Sequence, residues 1–213
     1  MRDKRERRPW ARRDWQARLS ARLVRLRSRQ PGWHQEALRV LAVSEARSVV
    51  MLEAALPSVT DPVLKRLMTK HLEDERNHDV AFSGLCGDAN AGKAFASRGT
   101  QSGRMNLLDL VAFFEVAELR GCQTMELYRE LFAHDPKVLE TLNWVFRDEK
   151  FHATYTNRQM DKWAREGHAA EVRRARDAAR SRDRTSFLRQ SAAFMLELPR
   201  LLVARPETDR ATA

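Results

Sequence analysis

Apolar side chains recur along most of this chain at the spacing of amphipathic helices, and no stretch alternates convincingly enough to read as a strand. The pattern predicts helices over residues 33–56, 62–86, 105–133 and 136–166, and a last apolar helix over about 184–204. Asp61-Pro62 and Asp135-Pro136 each place an N-cap residue before a proline at the first helical position, a favoured helix start. Residues 87–104 hold Gly87, Gly92, Gly99 and Gly103 with few large apolar side chains, and read as a loop. The expectation is an all-α protein in which two short-looped antiparallel hairpins are joined by one long crossover into a four-helix bundle.

At 100° per residue each of the four central helices carries one apolar stripe, interrupted near its middle by a glutamate. The first stripe holds Leu38, Leu41, Ala42, Glu45, Val49 and Leu52, and the second Leu64, Leu67, Met68, His71, Glu75, His78 and Phe82. The third aligns Leu107, Leu110, Val111, Phe114, Glu118, Gly121 and Met125, and the fourth Val138, Leu142, Val145, Glu149, His152 and Trp163. An internal repeat relates the hairpins. Glu45-Ala46-Arg47 matches Glu118-Leu119-Arg120, and Asp74-Glu75-Arg76-Asn77-His78 matches Asp148-Glu149-Lys150-Phe151-His152. Two long copies fit hairpins about a pseudo-two-fold axis better than a solenoid.

Height agrees with direction. Glu45 precedes Pro57 by 12 residues and Glu75 follows Pro62 by 13, so both lie roughly 18–20 Å from their shared turn at 1.5 Å per residue. Four carboxylates buried together are costly unless compensated. Two divalent cations would balance them, with neutral imidazoles completing the shells. The candidate metal ligands are therefore Glu45, Glu75, His78, Glu118, Glu149 and His152. The i, i+3 spacing of each Glu-x-x-His lets both side chains face one ion, and oxygen with imidazole suits iron or manganese. Glu115 is the alternative to Glu118, but it lies about 80° from the stripe centre and lacks the repeat relation. Asp74 and Asp148 are placed to accept the free ring N–H of a ligand histidine. His71, one turn before Glu75, reads as a neighbour of the ligands, an additional ligand or a hydrogen-bonded core histidine. Tyr128, at the stripe edge, reads as core, with a radical or proton-donor role as the sharper alternative. Arg47 and Arg120 are open to pairing with ligand carboxylates or to bridging helices.

Over roughly residues 33–166 these motifs resemble the ferritin-like superfamily of di-metal carboxylate proteins. The resemblance implies a ferritin-like bundle and a cofactor of two iron ions, with manganese or a mixed Fe/Mn pair as alternatives. As reaction class it implies a non-haem di-iron oxidase or oxygenase that activates O2 to oxidise or hydroxylate an organic substrate. Similar proteins also include rubrerythrin-like and manganese-catalase-like proteins that dispose of peroxide, and iron-storing ferritins. Hydroxylases of quinone precursors and of modified tRNA bases belong to the same class. With no rubredoxin-type module in the chain, electrons are expected from a separate donor.

Charge divides the chain further. The net charge is +10, yet residues 1–30 hold twelve basic and three acidic side chains while the rest is nearly neutral. The expected units are a basic N-terminal arm, 1–32, the di-metal bundle, 33–166, and a C-terminal helical extension, 167–213. The arm sets Trp10, Trp15, Leu19, Leu23 and Leu26 among arginines, which fits packing on the bundle, an anionic membrane surface or RNA or DNA phosphates. Cys86 and Cys122 form no CxxC, which argues against a cysteine-based metal site. No secretory h-region or membrane span is legible, so a cytoplasmic protein is expected, with peripheral membrane contact and a homodimer as further expectations.

Overall fold

The computed structural model describes residues 14–88, 91 and 105–203, with side chains as far as 196. The described chain is all-helical, with α1 Trp15–Arg27, α2 Trp33–Ala55, α3 Pro62–Cys86, α4 Leu107–Leu131, α5 Pro136–Trp163 and α6 Ala169–Val203. No strand occurs among these residues, and no described helix is long and apolar enough to cross a membrane. Most of the predicted loop at 87–104, like residues 1–13 with Trp10, lies outside the described residues.

Both Asp-Pro starts act as caps. The Asp61 carboxylate accepts from the backbone N–H groups of Val63 and Leu64, and Asp135 from those of Lys137 and Val138. Each satisfies donors that the first helical turn leaves without an intrahelical acceptor. α2 packs along α3 and α4 along α5 as two extensive antiparallel pairs, and α3 meets α5 between them.

The core is split. Trp33, Leu38, Phe82, Phe132, Val138 and Leu142 belong to one apolar cluster, and Met51, Leu64, Met68, Leu110, Phe114 and Tyr155 to another. In each central helix the stripe glutamate lies in sequence between segments contributing to these two clusters, so a polar layer is sandwiched between apolar ones.

The C-terminal helix departs from expectation. It begins at Ala169 rather than near 184, and α5 gives way at Ala164–His168 to a π-helical turn containing Gly167 at φ 104°. That left-handed conformation favours glycine, and it turns the chain back along α4. Residues 169–183 look too polar for a core helix, but Val172, Ala175 and Ala179 form a narrow buried stripe against Val111, Ala112 and Met160. The described part of the basic arm is also helical and packed. Asp14 caps α1, Gln16 Nε2 donates to Asp183 at 2.9 Å, and Trp15 meets Phe187 edge-on. Arg120 joins α1, α4 and α6 through Asp14 at 2.9 Å and Asp183 at 3.1 Å.

Candidate metal centre

The polar layer brings together Glu45 from α2, Glu75 and His78 from α3, Glu118 from α4, and Glu149 and His152 from α5. Each of the six is at most 6% exposed. With His71 of α3 they form two overlapping clusters, Glu45–Glu75–His78–Glu149 and His71–Glu75–Glu118–His152, each with one donor atom per residue within 4.8 Å of the others. Glu75 belongs to both.

The two aspartates act across the hairpins. His152 Nε2 on α5 lies 3.1 Å from Asp74 of α3, while His78 Nε2 on α3 lies 3.3 Å from Asp148 of α5. An aspartate accepting from Nε2–H puts the proton on that nitrogen and leaves Nδ1 as the free donor atom. Both Nδ1 atoms point into the layer. His78 Nδ1 stands 3.9 Å from Glu45 and 4.0 Å from Glu149, and His152 Nδ1 stands 3.4 Å from Glu75 and 4.0 Å from Glu118. His78 Nδ1, His152 Nδ1 and Glu75 Oε2 are buried without a hydrogen-bond partner. Such orphaned atoms cost stability unless something satisfies them. Nitrogen lone pairs and carboxylate oxygens converging on common points meet the ligand requirements of divalent first-row metals. The residues present therefore fit two metal ions.

Burial and neighbouring charges shift the titration of the layer's own groups. Burial raises the carboxyls of Glu45 and Glu149 well above the usual range, helped by neighbouring carboxylates, and takes Glu75 up to about 8. Burial is the largest influence on Glu118 and would raise it, but the hydrogen bond and charge of His71, with the hydrogen bond of Glu149 and the charge of His152, together outweigh it and bring this carboxyl down to about 2. Burial opposes charge on His71, yet Tyr155 and Glu118 together hold its pKa at about 9. Burial, with repulsion from His71, lowers His152 to about 4. Without metal, these shifts favour charge on His71 and Glu118 and the protonated form of Glu45, Glu75 and Glu149.

Other predicted residues go elsewhere. Glu115 leaves the layer, accepting from Arg176 at 2.7 and 2.8 Å and from Asn157 at 2.7 Å, so it ties α4 to α5 and α6. Tyr128 packs against Trp33 and Phe132, and burial raises its hydroxyl to about 12. Arg47 lies over the Phe113 ring, and Arg120 bridges helices as described above. Two residues had gone unassigned. Tyr155 Oη contacts His71 Nδ1 at 2.7 Å, and the signal was its position one turn beyond His152 on the same face. Gly121 faces Glu149 so closely that a Cβ there would stand 2.7 Å from Oε2, which makes this glycine a seat for the carboxylate. Comparisons of the chain with protein-family models, curated proteins and solved structures return no match.

Proposed function

We propose that the two hairpins form a ferritin-like four-helix bundle holding two iron ions, and that the protein is a non-haem di-iron oxidase or oxygenase acting on an organic substrate. The observation that carries this reading is the pair of orphaned Nδ1 atoms, each aimed at carboxylates while an aspartate from the opposite hairpin holds Nε2. Ions bound there would supply electron exchange with O2. The chain's own part is to fix donor atoms and keep out water. Asp74 and Asp148 hold the imidazole tautomers, Glu75 spans both positions, and Phe114, at 1% exposure, covers the His71 side. Four carboxylates balance two divalent ions, so the loaded layer is close to neutral.

A second reading rests on the same burial. Side chains at most 6% exposed are readily reached only by small molecules, which favours peroxide as co-reactant, as in rubrerythrin-like or manganese-catalase-like proteins. Metal storage is a further member of this family of readings.

Elemental analysis after expression with supplemented iron and manganese, followed by O2 addition to the anaerobic ferrous protein, tests the proposal. Two irons per chain, O2 uptake and a change in the visible spectrum are expected, with turnover requiring an added electron donor. Rapid O2 release from H2O2 without reductant would replace the oxygenase reading with the catalase one. Uptake of far more iron than two per chain would point to storage. Absence of bound metal under all these conditions would overturn the metal centre itself.

A further inference from the structure

His71 carries an inference that the six-ligand reading omits. Its side chain is completely buried, and its ring stacks on that of His152 with centroids 3.7 Å apart. Nε2 lies 2.9 Å from Glu75 Oε1 and 3.4 Å from Glu118 Oε1. Nδ1 is held from the other side by the Tyr155 hydroxyl at 2.7 Å. All three histidines of the layer thus share one design: one ring nitrogen anchored outward, on Asp148, Asp74 or Tyr155, and the other turned toward the carboxylates. That is the arrangement in which an outer hydrogen bond orients a metal-bound imidazole.

We propose that His71 is a seventh metal ligand, bound through Nε2, and that the two metal positions are therefore chemically unequal. The proposal rests on the reading of the layer as a di-metal centre. One position takes two imidazoles, His71 and His152, with Glu75 and Glu118; the other takes one imidazole, His78, with Glu45, Glu75 and Glu149. An ion held there would take the place of the Nε2 proton, which would be released to solvent, and the ring proton on Nδ1 would be donated to the Tyr155 oxygen. The asymmetry is written in the repeat, where the position matching His71 is Val145, itself fully buried in apolar surroundings. His71 stands on α3 of the first hairpin but joins the cluster containing Glu118 and His152 of the second, so its contribution does not duplicate that of His78. A richer nitrogen set favours later first-row divalent ions, and a carboxylate-rich set favours manganese more. The centre is thus built to distinguish its two ions.

Manganese(II) alone is the probe. Full-length metal-free protein is titrated by calorimetry, and pulsed electron paramagnetic resonance on protein labelled with 15N-histidine counts the coordinated nitrogens. Two ions of unequal affinity and three metal-bound imidazoles per chain are expected. His71→Gln is expected to weaken one ion by 100-fold or more and to leave the other unchanged, while Tyr155→Phe weakens the same ion by about tenfold. Two coordinated imidazoles in the wild-type protein, or His71→Gln binding both ions with wild-type affinity, would overturn the assignment. The nitrogen count needs no variant, so it decides even if His71→Gln does not fold. A wild-type chain that binds no manganese and no iron would defeat the di-metal reading instead, an outcome distinct from two ions held by two histidines.

Discussion

Replacing Gly121 by alanine separates the stability of the helix from the geometry of the metal centre. Glycine inside a helix costs about 0.5–1 kcal/mol relative to alanine, so at a neutral site Gly121→Ala would stabilise α4. Here the new Cβ would meet Glu149 Oε2 at 2.7 Å and Cδ at 3.3 Å. Ordinary contact begins near 3.4 Å, so the carboxylate must retreat by about 0.7 Å, the difference between 3.4 and 2.7. Overpacking of this kind costs about 1–3 kcal/mol when the neighbour is rigid. The atom in question is the free end of a side chain, so the metal-free protein is expected to yield at little cost, with the helix gain offsetting it. Metal binding has no such tolerance, because ligand distances must hold within about 0.2 Å. Affinity for at least one ion is expected to fall tenfold or more, which is about 1.4 kcal/mol. Thermal unfolding of metal-free and manganese-loaded protein reads both effects, since an ion that binds only the folded state raises stability with its occupancy. The metal-free melting temperature should stay within a few degrees of wild type while the metal-induced rise shrinks. Undiminished binding of both ions by Gly121→Ala would refute the placement of Glu149 and the role given to the glycine.

Glu118→Ala is expected to abolish two-metal occupancy. Glu115→Ala is expected to keep both ions but to destabilise the fold by about 1–3 kcal/mol, because Arg176, largely buried, loses its main partner; elemental analysis and denaturant unfolding distinguish the two. Asp74→Asn and Asp148→Asn should each lower metal affinity about 10–100-fold with little loss of helix content, as a calorimetric titration would show. Metal-free stability should fall as pH rises from about 5 to 8. Glu45, Glu75 and Glu149 hold protons in the folded state that they release when unfolded, and folded groups with raised pKa lose their stabilising contribution as pH passes that value. His152, lowered to about 4, works in the opposite direction but is outnumbered. The rise in melting temperature on adding metal should therefore grow across the same range, with proton release on binding; a metal-induced rise that shrinks with pH would contradict this.

The helix starts were legible because Asp-Pro pairs set both the cap and the first backbone angle, and the structure shows both caps formed. That Glu118 rather than Glu115 faces the polar layer was legible because Glu115 lies about 80° from the stripe centre, and its carboxylate meets Arg176 of α6 instead. The start of α6 was not. Its buried stripe is Val172, Ala175 and Ala179, whose short side chains bury too little apolar surface to stand out among arginines. Tyrosine position was only half legible. Both Tyr128 and Tyr155 lie toward the interior, but Tyr128 is ten residues beyond Glu118, about 15 Å along the axis, whereas Tyr155 is one turn from His152. For His71 the spacing to Glu75 was visible, and its approach to Glu118 was not, since that contact depends on how the hairpins meet.

The crossed aspartates have a consequence for how such a chain can change. Asp74 serves the imidazole of the second hairpin and Asp148 that of the first, the reciprocal exchange that two identical hairpins would make as a symmetric dimer. In such a dimer every substitution would fall on both halves at once. Joining the halves in one chain releases them from that bond. A histidine can stand at position 71 while valine stands at 145, so a nearly symmetric arrangement in one chain can treat its two halves differently.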